Sequence, residues 1–485
     1  MKTRFILFIL VLMSMVGYGQ NSKKEWKNIP VDSIITDLKM FIPEYLVNHN
    51  VPGASIALVN DNKIVWTEGF GVANSITRKP VNSNTLFEVA SISKVFTAYI
   101  ALRLIDEGKL SPEKPLLSYM SHEWMPYSIY QDSIYLRHAL SHSSGLNKTN
   151  REIMFKPGSA YYYSANGFNL VKEVMEKVTG ETFEDLAQRL VFQPLGMKNS
   201  SFIKKGSLIP VTSNGHIHAI VPVVVFGFMF LVIYLLITLI GALIIRLRTK
   251  SWKPRSRYKI IFIILSVLVS SGILLLILGK NSLMEFALII IFAGLASLLL
   301  FLILRHAVRT FLAGTGLKRI YHQIISIAWG LFLCGIIFLI SMKIVNLPVP
   351  KWSDYEPGAA GTLRTTPGEL ALFMIEIADP KYLKAEASEL LRTPQIKLDE
   401  DLSWGMGPGI FYSGNGYLLW QWGQHIDFQS IMMICPERRF GVIVCTNNDL
   451  LNPDVALEIA QRAFREDFES IRSAIHLAYD FNNNN

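Results

Sequence analysis

Apolar and polar positions alternate along this chain with two different periods. Residues 21–50 carry Ile35, Leu38, Phe41, Ile42 and Leu46 at helical spacing, which predicts an amphipathic helix. Ala54-Ser55-Ile56-Ala57-Leu58-Val59 and Lys63-Ile64-Val65-Trp66-Thr67-Glu68-Gly69 read as two strands joined by an Asn60-Asp61-Asn62 turn. From residue 91, Val95, Phe96, Tyr99, Ile100, Leu102 and Ile105 mark the apolar stripe of a long helix closed at Gly108. A helix is expected from about 166 to 178 and another from about Thr366 to Ala378. Strands are expected over 409–412, 417–423, 428–435 and 440–446, with a last helix over about 453–468.

Four stretches have no such alternation. Residues 219–245, 260–279, 286–304 and 323–342 are apolar throughout and hold no Asp, Glu, Lys or Arg. Each is long enough to cross a bilayer. The loop between the first and second carries Arg246, Arg248, Lys250, Lys253, Arg255, Arg257 and Lys259. That between the third and fourth carries Arg305, Arg309, Lys318 and Arg319, and the short loop between the second and third only Lys280 and Glu285. Positive-inside bias puts the two basic loops in the cytoplasm and both flanks of the bundle outside.

Met1 to Gly19 read as a secretory signal. Lys2 and Arg4 form a charged start, 5–16 an apolar core, and Gly17-Tyr18-Gly19 a small-residue cleavage site before Gln20. The expected organisation is thus a signal at 1–19, a first domain part at 20–205, an inserted bundle at 206–346 and a second domain part at 347–485. Neither flanking half makes a domain alone, since the first holds two strands and the second the rest of a sheet.

Composition changes this picture little. The chain has 485 residues, 51% hydrophobic, with a formal net charge of +9. The two basic loops hold no acidic residue and account for that excess, so the charge reflects membrane topology and argues against a nucleic-acid partner. Cys334 lies in the fourth apolar stretch. Hairpin pairing sets Cys435 opposite about residue 440 and Cys445 opposite about residue 430, too far apart along the ladder for a disulfide.

The candidate chemistry begins at Ser91-Ile92-Ser93-Lys94, where a loop enters the long helix. A serine hydroxyl needs a base to become a nucleophile, and a lysine one turn on shares its helix face. The same spacing recurs at Ser111/Lys114, Ser201/Lys204 and Ser256/Lys259, but only Ser91 opens a long amphipathic helix. His216 and His218 form a His-x-His that reads as plain linker, and His138 and His142 read as structural. No metal-binding, phosphate-loop or dinucleotide motif appears, nor a Gly-x-Ser-x-Gly elbow. No cofactor is expected.

Several stretches taken together resemble the serine hydrolases of the class C β-lactamase and penicillin-binding-protein-like type. They are Phe87-Glu88-Val89-Ala90-Ser91-Ile92-Ser93-Lys94, then 136–146, 157–168, Pro194-Leu195-Gly196-Met197, 360–370, Trp404-Gly405-Met406-Gly407 and 428–447, in family order. The resemblance implies an α/β (α+β) β-lactamase/transpeptidase-like fold, an antiparallel sheet flanked by helices with a helical lobe, here interrupted by an all-α four-span membrane bundle. It implies Ser91 as nucleophile, Lys94 as its partner, and Tyr163, five residues after Gly158, as general base and later acid; Tyr161 and Tyr162 are packing. The third family motif falls on Gln421-Trp422-Gly423, with backbone N–H groups of Ser91 and Gln424 as the oxyanion hole. Asn166, Gln421, Trp422 and Gly423 would bind substrate. Two positions depart from the family: Ala165 stands where Asn is usual, and Gln421 where His or Lys is usual.

The implied activity is acyl transfer through an acyl-enzyme, by a multi-pass membrane protein with its catalytic domain outside the cytoplasm. Its substrates would be peptides with D-residues, cell-wall fragments, amides or esters. The rival reading is a catalytically silent sensor of a cell-wall ligand.

Overall fold

The computed structural model describes residues 30–203, 212–218, 346–348, 358–413, 416–448 and 454–480. The signal and all four apolar stretches lie outside the described residues. Among those described, no helix is long and apolar enough to cross a membrane. The described residues before 219 and after 345 pack as one compact unit as far as His476.

Its centre is an eight-stranded sheet in the order β2-β1-β12-β11-β10-β9-β8-β7. The strands are β1 (Gly53–Asn60), β2 (Lys63–Gly71), β7 (Ile396–Lys397), β8 (Leu402–Trp404), β9 (Gly409–Ser413), β10 (Gly416–His425), β11 (Phe428–Cys435) and β12 (Phe440–Thr446). Every pairing is antiparallel. Asp61 and Asn62 both adopt positive φ, the conformation a tight hairpin turn between β1 and β2 requires and Asx residues tolerate. The first and last strands close the domain, for β1 pairs with β12 from Ala54↔Thr446 to Asn60↔Phe440. Chain separated by the 219–345 segment therefore forms one sheet. In the β11–β12 register, Cys435 faces Phe440 and Cys445 faces Ser430, as expected, and both thiols are free and buried.

β11 and β12 are buried at every position, so both faces of the sheet are covered. Helices α1 (Val31–Asn48), α5 (Pro367–Ala378), α7 (Val455–Phe464) and α8 (Glu469–Asp480) belong to this layer. α1 buries Ile34, Leu38, Ile42, Tyr45 and Leu46, one position round from the expected Ile35–Phe41 stripe. Tyr45 donates to Glu458 of α7 at 2.5 Å, and Arg462 pairs with Asp37 at 2.6 Å. The helix expected over 453–468 spans Val455–Phe464, ended by Arg465 in a left-handed conformation at φ 53°, and α8 follows it beyond the expected range.

α2 (Ser93–Asp106) is not one-sided. It is buried at every position from Ser93 to Leu102 and again at Leu104, because it threads the core between the sheet layer and the helical lobe. That lobe holds α3 (Leu136–Leu140) and α4 (Asn166–Thr179); α6 (Ala385–Arg392) also packs on α2. Short pairs complete the frame: β3 (Phe87–Glu88) with β6 (Arg364–Thr365), and β4 (His216–His218) with β5 (Asn346–Pro348).

Candidate active site

Ser91 lies in a single 3₁₀ turn, Ala90–Ile92, between β3 and α2. Ala90 is held at φ 44°, an uncommon region for a residue with a side chain. The turn is pinned from below. Val89 N–H donates to Leu363 O at 3.0 Å, Ser93 Oγ to Ala90 O at 2.6 Å, and Leu363 N–H to Ser93 Oγ at 3.1 Å. Thr97 Oγ1 donates to Ala359 O at 2.6 Å. The second half of the chain thus supplies the floor on which the Ser91 turn rests.

Ser91 is partly exposed, whereas Lys94 beneath it is 3% exposed. Lys94 Nζ donates to Ser91 Oγ at 2.8 Å and to Ala360 O at 3.0 Å. Burial, reinforced by the charge of Lys148, lowers the Lys94 ammonium to about 7. Near neutral pH a large share of Lys94 is therefore the free amine, with a lone pair beside the serine hydroxyl.

Tyr163 reaches the same spot from the segment before α4. Lys94 Nζ lies 4.8 Å from the centre of its ring. The hydroxyl is fully buried near Ser91 and Gln421, close enough for both to favour its ionised form. Burial outweighs them and pushes the phenol above its usual range.

The third-motif strand crosses the front of the nucleophile turn. Among the described residues, β9 pairs with β10 from Gly416 to Trp420, while β11 pairs with it on to His425. Gly423 is required there, since a β-carbon would collide with the Val89 carbonyl. Ser430, opposite Gly423, donates to the same Val89 oxygen at 3.0 Å. Gln424 follows at once on β10, the strand that packs against the Ser91 turn. Gln421 is fully buried. Its Nε2 donates to Trp422 O at 2.8 Å, while Oε1 has no hydrogen-bond partner. Trp422 stacks on Trp420 at 5.6 Å and lies 4.9 Å from the Tyr163 ring, forming a wall behind the tyrosine. The cavity under Trp422 and Gly423, lined by Ala456, Leu457 and Ile475, touches neither Ser91 nor Lys94.

Asn166 opens α4. Its Nδ2 donates to Asn147 O at 2.6 Å, tying α4 to the 147–150 loop. With Ala165 beside it, the usual amide of this region is spent on the chain itself.

Two site residues escaped the sequence reading. His142, taken as structural, has its ring 4.2 Å from that of Tyr163. It adopts φ 59°, and its Nδ1 accepts from Ser164 N–H at 3.2 Å. Burial and the nearby Lys94 charge hold it neutral, well below the usual imidazole range, with Nε2 unpartnered among the described residues. Lys148 lies in a polar Asn-Lys-Thr-Asn run that gives no signal, yet its Nζ sits 5.4 Å over the Tyr162 ring and its charge is felt by Lys94 and His142. His216 is buried and accepts from Ser75 N–H at 3.0 Å, and burial lowers it to about 4, consistent with an inert linker residue. Among the described residues, no group of His, Cys, Asp and Glu is arranged to hold a metal ion.

Comparison with known proteins bears on this geometry. Residues 38–223 match the Beta-lactamase family model. Penicillin-binding protein 4* of Bacillus subtilis is 28% identical over 178 residues, which are 31% of this chain and 38% of that protein. Protein flp of Staphylococcus aureus is 26% identical over 175 residues, 32% of this chain and 35% of that protein. The chain thus spans little more than a third of the length of these curated relatives. In fold it is similar to D-alanine carboxypeptidase AmpC from Burkholderia cenocepacia, with a TM-score of 0.56, 14% identity, and 90% of this chain and 99% of the other covered. The fold is that of the beta-lactamase and penicillin-binding-protein group.

Proposed function

We propose that this chain is a serine hydrolase that forms an acyl-enzyme on Ser91 and acts on a peptide, amide or ester. The observation that carries the reading is the 2.8 Å contact of a buried Lys94, lowered to about 7, with the Ser91 hydroxyl. In its free-amine form Lys94 takes the Ser91 proton as Oγ bonds to the substrate carbonyl carbon. The carbonyl oxygen gains the electron pair, and the backbone N–H groups of Ser91 and Gln424 stabilise it. As the oxyanion collapses, the leaving group departs with a proton from Tyr163, which Lys94 replaces. Water then attacks the ester, the same groups run in reverse, and Ser91 is restored.

A second reading, a silent sensor of a cell-wall ligand, draws support from one feature. No charged side chain occupies position 421, and Gln421 Nε2 is committed to Trp422 O. Labelling membranes with a fluorophosphonate and a fluorescent penicillin, in wild type and Ser91→Ala, separates the two. Labelling lost in the variant supports the hydrolase. A folded protein that neither probe labels overturns it in favour of the sensor.

The reading extends to a multi-pass membrane protein with the site outside the cytoplasm, acting on wall-linked or membrane-associated substrate. Support comes from the apolar stretches and from the β4–β5 ribbon. His218 pairs with Asn346, so the two ends of the 219–345 segment leave the domain side by side. The first apolar stretch starts at the next residue, so little linker separates the two in the sequence. Carbonate extraction and protease protection test this: release into the soluble fraction, or a catalytic domain protected inside intact cells, would overturn it.

A further inference from the structure

Glu88 lies on β3, three residues before Ser91, and its side chain is only 10% exposed. One carboxylate oxygen accepts from Arg364 Nη2 at 3.0 Å and from Nε at 3.2 Å. Arg364 is also its partner in the β3–β6 register, so this pair is built into the backbone frame. The other oxygen lies 3.3 Å from His425 Nδ1. His425 is the last residue of β10, directly after Gln424. Its side chain is 35% exposed, and a β-carbon at Gly361 would sit 3.4 Å from its Nε2, so a glycine leaves the imidazole its space.

This carboxylate therefore joins the strand that leads into the nucleophile, the strand that braces it, and the end of the strand carrying the oxyanion donor. The join has a mechanical reason. Among the described residues, the β9 register with β10 ends at Trp420 while that of β11 runs on to His425, so contacts from the nucleophile side, the Glu88–His425 contact among them, help to set where the tip of β10 lies. Arg364 already balances the charge of Glu88, so His425 is not needed to neutralise a buried anion. What the contact does is fix a distance. We propose that His425 is a positioning residue: its contact with Glu88 holds the tip of β10 so that the Gln424 N–H faces the oxygen developing on a carbonyl attacked by Ser91. This rests on the hydrolase reading of the site.

The test uses the full chain in detergent with His425→Ala and His425→Asn, the second retaining a donor near the Nδ1 position. Hydrogen exchange at the Gln424 and His425 amides is the first readout and needs no activity. Protection falls in His425→Ala and returns in His425→Asn, with unchanged exchange in β11 and β12. The second is hydrolysis of a chromogenic ester. His425→Ala lowers kcat by about 10-fold or more with KM little changed, the signature of a displaced oxyanion donor, and His425→Asn recovers most of it. Unchanged exchange in His425→Ala overturns the proposal, as does loss of protection throughout the sheet in both variants. A wild-type protein that hydrolyses no ester overturns the hydrolase reading instead, and leaves the exchange result to decide the contact.

Discussion

Lys94 Nζ lies 2.8 Å from Ser91 Oγ, while the Tyr163 hydroxyl, buried in the same site, has no well-formed hydrogen bond. The lysine is in place to take the serine proton, and the tyrosine to give one up.

The pH profile should follow from this. Lys94 lowered to about 7 must be neutral to accept a proton. Turnover of a neutral ester is expected to rise with pH through about 7, and Lys94→Ala to lose about 10²–10⁴-fold in kcat. The same group sets a slope in stability. The unfolded chain binds this proton up to the ordinary lysine range and the folded one only below about 7, so Lys94 contributes stability that rises with pH across that window. Denaturant unfolding of wild type against Lys94→Met as a function of pH checks the sign.

Lys148 adds to the lowering of Lys94. Lys148→Met should shift the acid limb of the profile to higher pH without abolishing turnover, since burial is the larger cause. A profile that stays in place would mean the Lys148 charge is screened.

Tyr163→Phe removes a buried hydroxyl that makes no well-formed hydrogen bond among the described residues, so the folded state forfeits little and Tm should hold or rise. Activity should nevertheless fall by about 10²–10⁴-fold if the phenol protonates the leaving group. Thermal unfolding and ester kinetics on one preparation check both halves.

Gly423→Ala forces a methyl group against the Val89 carbonyl and Ser430 Oγ. Overpacking there costs about 1–3 kcal/mol. Because the strain bears on the Ser91 turn, fluorophosphonate labelling should fall more steeply than stability. A variant that labels at the wild-type rate would show that β10 does not brace the nucleophile.

The sequence by itself determined the local elements and the core chemical pair. Ser91 and Lys94 are neighbours in the chain, so three-residue spacing at a helix start already brings them together. The hairpin of β1 and β2, the β11–β12 register and α5 are likewise set by alternation and turn residues over short separations. Tertiary structure decided whatever depends on distant chain meeting. Pairing of β1 with β12 across the whole chain, the floor of the Ser91 turn supplied by 359–363, and the burial that lowers Lys94 and raises Tyr163 have no local signature. His142 and Lys148 were passed over for the same reason: packing brings His142 against Tyr163, and only the folded 147–150 loop brings Lys148 within range of Lys94. The bond from Asn166 Nδ2 to Asn147 O likewise depends on the folded 147–150 loop and has no local signature.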